Sequence, residues 1–133
     1  GFASVIAKSM SLKLNSKNRW QLSLLKAKIQ LVSGNIEDAE VWLNESILHL
    51  SKPNSEILNL QGIILKRDGD FEGALSCMKR AFNSAIPKDY RVAYNIGLIS
   101  EQMGHHSESI TWFKKSLQIY PKFEKAKSKV ADY

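Results

Sequence analysis

The chain has 133 residues, of which 44% are hydrophobic and 24% charged, the balance of one folded domain and not of a disordered or collagen-like segment. Its single cysteine, Cys77, excludes an internal disulfide framework and a thiolate zinc site. A formal charge of +6 keeps acidic partners and nucleic acid in view, and no apolar run approaches the roughly 18 residues needed to span a bilayer.

In chain order, the predicted elements are helices near residues 2–14, 19–33, 36–51, 54–68, 71–85, 88–103, 106–119 and 122–131. The opening Gly1-Phe2-Ala3 carries no Met, and residues 1–14 lack the long apolar core and cleavage site of a targeting peptide. They read as the second helix of a repeat whose first half is missing, so the chain is expected to be a fragment of a longer protein. Leu22, Leu25, Ile29 and Val32 then follow the three–four spacing of a helical stripe, and Leu58, Leu60, Ile64 and Leu65 do so more loosely. Between them Ile36, Ala39, Leu43, Ser46, Ile47 and Leu50 form a second stripe. Gly34, Gly69 and Gly104 suit the left-handed residue that closes a helix. Asn35 and Asp70 stand where a side chain accepts from the free amides of the next helix, a task His105 performs less well. Pro53, Pro87 and Pro121 fall beyond the second stripes, where a proline stops a helix without breaking it.

These marks repeat. Gly34, Gly69 and Gly104 are 35 residues apart, and the same offset carries Leu43 to Met78 to Phe113, Ser46 to Ala81 to Ser116, and Ala27 to Gly62 to Gly97. Small residues recur where two helices have to touch: Ala27, Gly62 and Gly97 are expected to face Ala39, Ala74 and Ser109. Each unit is then a tight antiparallel pair that cannot bury its own apolar face, and stacking neighbours completes the core.

The pattern resembles the tetratricopeptide repeat family, which places a small residue at position 8, Gly near 15, Ala at 20, a large apolar residue at 24, Ala at 27 and Pro at 32. Gly97, Gly104, Phe113 and Pro121 match in the third copy; Gly62, Gly69, Ala74, Met78 and Ala81 in the second; Ala27, Gly34, Ala39 and Leu43 in the first. Pro87 comes one residue late and Pro53 two. The resemblance implies an all-α, right-handed superhelical solenoid of antiparallel helix pairs. Its parts are a truncated repeat at 1–18, repeats at 19–53, 54–88 and 89–121, and a capping helix at 122–133, where Phe123, Ala126 and Val130 face inward.

A 35-residue period also fits the pentatricopeptide repeats, which bind single-stranded RNA. The net charge and the string Ala93-Tyr94-Asn95 favour that reading. Against it stand the small residue at position 8, the Ser/Ala/Ser series at position 27, and the uneven charge. Residues 1–33 hold six basic and no acidic side chains, while residues 53–89 hold five of each; an RNA track needs charge along its length.

The resemblance further implies that positions on the first helices line a concave groove. They include Leu24 and Lys28 in the first copy, Asn59, Ile63, Lys66 and Arg67 in the second, and Arg91, Tyr94, Leu98 and Glu101 in the third. Such an amphipathic groove suits a peptide or helix held by a few apolar anchors. The alternative is that these residues are merely solvated or packed. A carboxylate clamp of the co-chaperone type is poorly matched, since Leu24, Lys28, Leu60 and Asn95 leave only Arg91 as a cation in place.

Other chemistry has bland readings. Adjacent His105 and His106 cannot easily share one ion, and His106 is expected to pack between helices as Ile36 and Phe71 do. His49, near a helix end, suits the dipole there. Cys77 shares its repeat position with Trp42 and Trp112, which either pack or form an exposed patch. The basic opening and closing segments are a solvated face or a contact for an acidic partner. No nucleophile elbow, phosphate loop or paired-His motif is present.

The function expected is therefore non-catalytic: a protein-interaction scaffold or adaptor, cytoplasmic, with no cofactor and no metal. Its partner would be a protein or peptide held in the groove. The runners-up are RNA binding and an architectural or self-associating spacer.

Overall fold

The computed structural model describes residues 19–50 and 52–132, and the described residues form seven α-helices and no strand. They are α1 (Arg19–Val32), α2 (Ile36–Leu48), α3 (Ser55–Arg67), α4 (Phe71–Ser84), α5 (Tyr90–Gln102), α6 (His106–Ile119) and α7 (Glu124–Ala131). The helix expected at 2–14 lies outside the described residues.

Three turns reverse the chain by the same device. Gly34, Gly69 and Gly104 have φ of +86°, +87° and +81°, a conformation that only glycine adopts without a steric penalty. Each glycine N–H donates to the carbonyl three residues back, and the following N–H donates five back. The pairs are Gly34 to Leu31 and Asn35 to Gln30, Gly69 to Lys66 and Asp70 to Leu65, Gly104 to Glu101 and His105 to Ser100, all at 2.9–3.1 Å. Carbonyls that the ending helix would leave bare are thus used inside the turn.

The starts of the second helices differ more than expected. Asp70 Oδ1 accepts from the Gly73 N–H at 3.0 Å, but Asn35 makes no capping bond. Its Nδ2 donates to Gln30 Oε1 at 3.0 Å instead, because a side-chain amide lies within reach across the turn. Two caps not anticipated open first helices: Asn54 Oδ1 accepts from the Ile57 N–H and Asp89 Oδ1 from the Arg91 N–H, each at 2.9 Å. Lys88 closes α4 from beyond its end, donating to the Phe82 and Asn83 carbonyls at 3.1 and 2.6 Å.

The chain divides into two compact units at Pro53. In the first, α1 lies against α2, burying Ser23, Leu24, Ala27 and Leu31 with Ala39, Leu43 and Ser46. The buried stripe is therefore Leu24, Ala27 and Leu31, flanked by half-buried Leu22, Leu25 and Ile29. Val32, at the end of the expected stripe, is 88% exposed because the helix stops there. Ser46 Oγ donates to the Trp20 carbonyl at 2.8 Å, tying α2 to the first turn of α1.

In the second unit α3 pairs with α4 and α5 with α6, α4 packs on α5, and α7 packs on α6. Its core joins Leu58, Met78, Phe82, Val92, Ile96 and Ile99. Phe113 is fully buried, a gain of about 2–3 kcal/mol for a side chain of this size. It sits against Gly97, where an added Cβ would lie 2.5 Å from the ring. Gly62 likewise faces Met78, with the Ala74 carbonyl next to it. The small residue at position 8 thus makes room for the large residue at position 24, and Ser109 is not its nearest neighbour. Ser116 Oγ donates to the Tyr90 carbonyl at 2.8 Å, the same tie that Ser46 makes to Trp20.

Candidate functional site

The residues expected to line a groove do not share one environment. In the first unit, Leu24 is 2% exposed and belongs to the core between α1 and α2, so it offers no surface to a partner. Lys28 is exposed.

In the second unit, α3 carries Asn59, Ile63, Lys66 and Arg67. Ile63 is half-buried against the core, Lys66 is half-buried and Arg67 exposed. The Oδ1 of Asn59 is shut off from solvent and accepts no hydrogen bond among the described residues.

Helix α5 carries the remaining four. Arg91 is exposed, with its guanidinium 5.5 Å from the Tyr90 ring and its Nε donating to the Tyr90 hydroxyl at 3.4 Å. That hydroxyl, aided by Asp89, pushes the Arg91 pKa up. Leu98 is half-buried.

Tyr94 and Glu101 are engaged by the end of the chain. The Tyr94 ring stands 5.1 Å from Phe123 and 5.5 Å from Phe113. Lys129 Nζ donates to Glu101 Oε1 at 2.7 Å, both side chains about one-third exposed or less. Tyr90 extends the aromatic run, 4.9 Å from Phe123 and 4.8 Å from Tyr120. Sequence reasoning missed this cluster, although Tyr90, Tyr94, Tyr120 and Phe123 are the visible signal: four aromatics near the two ends of one pair.

The other candidates are accounted for locally. His106 is exposed and does not take the packing place of half-buried Ile36 and Phe71, since an imidazole at the start of a helix is better solvated than buried. No cluster of three metal-ligating side chains occurs among the described residues. Cys77 is a half-buried thiol whose pKa is pushed up by burial, with Arg80 opposing and Asp70 adding. Trp112 packs edge-on against Phe82 at 5.2 Å, with Lys115 Nζ 4.1 Å over its ring. Trp42 has Lys26 Nζ 4.3 Å over its ring. It lines a cleft of about 310 Å³ with Arg19, Leu22, Lys26, Glu45 and His49. His49 Nε2 lies 3.3 Å from Glu45 Oε1 there. Among the described residues no helix is long and apolar enough to cross a membrane.

Comparison with known proteins agrees with this architecture. Residues 90–123 match the tetratricopeptide repeat model. No curated protein matches the chain. Among solved structures, the crystal structure of MamA superposes with a TM-score of 0.75 at 21% identity, over 85% of this chain and 65% of that one. Pseudomonas aeruginosa pilF gives 0.78 at 22% identity, over 86% of this chain and 52% of that one. PcrH in complex with the chaperone binding region of PopB gives 0.68 at 14% identity, over 85% and 90%. The chain thus spans less than two thirds of MamA and about half of pilF. At such identities the likeness is one of fold. With three glycine turns in register, small residues seated against large ones and residues 90–123 matched as one repeat, the described residues have the fold of tetratricopeptide-repeat solenoids.

Proposed function

We propose that the chain is a non-catalytic adaptor, acting in the cytoplasm, that holds a peptide or helix of a partner protein in the groove expected along its first helices. Tetratricopeptide repeats generally mediate protein–protein contacts and are typically not catalytic. The observation that carries the reading is the pair Ile63 and Leu98. They occupy one repeat position 35 residues apart, both are aliphatic, and both keep part of their surface in solvent. Around them α3 supplies Lys66 and Arg67, and α5 supplies Arg91. Half-exposed aliphatic residues beside cations suit an amphipathic segment bearing acidic side chains. PcrH, of the same fold, was crystallised with the chaperone binding region of PopB, which supports a reading in which a chain of this fold binds part of another protein. Tyr94 and Glu101, held by Phe123 and Lys129, shape the edge of the surface.

The test is affinity capture from cell extract with the wild-type chain and with an Arg91→Glu/Leu98→Ser variant, each with and without nuclease. The expected result is a protein retained by the wild type, lost with the variant and indifferent to nuclease. Nuclease-sensitive recovery of RNA would replace this reading with RNA binding. Equal retention by both chains would remove this face as the site.

A further inference from the structure

Helix α2 turns Ala39, Leu43 and Ser46 toward α1 and buries them. Along its opposite side run Glu37, Val41, Asn44 and Leu48, at the three- and four-residue spacing of one helical face, and all four are exposed. Val41 is 62% exposed and Leu48 77%. The charges beside this aliphatic pair have one sign, since α2 carries Glu37, Asp38, Glu40 and Glu45 and neither Lys nor Arg.

The other copies show that the repeat itself does not require such a surface. One repeat length on, Val41 and Leu48 become Ser76 and Asn83; two lengths on, they become Thr111 and Gln118, all exposed. Where α2 has Asn44-Glu45, α4 has Lys79-Arg80 and α6 has Lys114-Lys115. The inward side is meanwhile kept: Ala39, Leu43 and Ser46 answer to Ala74, Met78 and Ala81 and to Ser109, Phe113 and Ser116, every one buried. The outer side of a second helix is thus polar and basic in two copies and aliphatic and acidic in the first, a difference that packing within the pair does not demand.

We propose that the outer face of α2 is a docking surface for a basic amphipathic helix of another protein. Its aliphatic side chains cover Val41 and Leu48, and its Lys or Arg side chains meet Glu37 and Asp38. Removing the aliphatic pair from water supplies the affinity, and charge complementarity selects the partner. An acidic segment is repelled, and an uncharged one leaves carboxylates at the rim without a counter-ion. A helix laid along α2 presents apolar anchors every three or four residues, the spacing this face offers. A second copy of the chain is not matched through its own α4 or α6, whose outer sides offer cations but polar residues at the Val41 and Leu48 places. The surface belongs to a second helix and the adaptor groove to the first helices, so neither reading depends on the other.

The experiment titrates the isotope-labelled full chain with a designed helix of leucine and lysine, leucines on one face, and with the same helix bearing glutamate for lysine. The expected result is that the lysine helix shifts the amide signals of Glu37, Val41, Asn44 and Leu48, and that the glutamate helix shifts none. Val41→Ser/Leu48→Asn, which installs the residues of the second copy, is expected to weaken binding about tenfold or more. Glu37→Gln/Asp38→Asn is expected to weaken it and to flatten its salt dependence. These positions are on the surface, and circular dichroism checks that both variants stay folded. Failure of the lysine helix to bind, shifts confined to α3 and α5, or binding indifferent to Val41→Ser/Leu48→Asn would each overturn the proposal. Self-association of the chain in sedimentation that Val41→Ser/Leu48→Asn abolishes would also overturn it, giving the face to a second copy.

Discussion

The buried ring of Phe113 lies against Gly97 so closely that a methyl group on that backbone would meet it at 2.5 Å. Gly97→Ala gains helix propensity, about 1 kcal/mol. It also forces a ring with no free space to move, and overpacking of this kind costs about 1–3 kcal/mol. A net loss of stability is expected, larger still for Gly97→Leu, read as a fall in Tm. Gly62→Ala is expected to lose stability in the same direction, since its Cβ would lie 2.6 Å from Cγ of fully buried Met78 and 3.2 Å from the Ala74 carbonyl. An unchanged Tm for Gly97→Leu would refute the pairing.

The serine ties give a second prediction. Ser116→Ala removes one hydrogen bond to the Tyr90 carbonyl and leaves no steric conflict, a loss of about 1 kcal/mol by chemical denaturation. Ala81 occupies the equivalent place, 26 residues after Ser55. Ala81→Ser is expected to be tolerated, its hydroxyl donating to the Ser55 carbonyl. A loss as large as that of Ser116→Ala would show that the copies are not interchangeable here.

Helix α7 is held by Phe123 and by Lys129 on Glu101. Phe123→Ala is expected to speed amide hydrogen exchange across residues 124–131 while the amides of α1 and α2 keep their rates. The Lys129–Glu101 pair contributes less, about 0.5–1 kcal/mol in a double-mutant cycle, and weakens with added salt. Exchange that stays uniform across the chain after Phe123→Ala would remove the aromatic cluster as the latch.

Cys77 gives a pH-dependent readout. Burial favours the neutral thiol and raises its pKa, and the thiolate is the form that reacts. Alkylation in the folded chain is expected to be slower at neutral pH than in the unfolded chain, and to accelerate at a higher pH. Equal rates in both states would mean that the thiol is solvated.

The sequence made the turns legible because glycine at a positive φ is a local requirement, and Gly34, Gly69 and Gly104 have no substitute there. The close approach at position 8 was legible for the same kind of reason: Ala74 does stand beside Gly62, while the nearest groups are the large residues at position 24, Met78 and Phe113. What escaped depended on choices among equals. In α1, Leu22, Leu25 and Ile29 make as good a stripe as Leu24, Ala27 and Leu31, and only packing on α2 decides which is deeper. Asn35 had a cap and Gln30 as rival partners, and the sequence does not rank them. A lysine beyond a helix end is common, so nothing marked Lys88 as the residue that closes α4. The candidate surface was legible as a set of positions, yet Leu24, Tyr94 and Glu101 turned out to be engaged in packing.

The ties from Ser46 to Trp20 and from Ser116 to Tyr90 each close within 26 residues, less than the 35-residue repeat. The search for the contacts within each pair therefore stays short, and the pair completes its core by stacking on a neighbour. A whole 35-residue length could be inserted or excised between pairs without rethreading any of these bonds, so the array can be lengthened or shortened in modular steps.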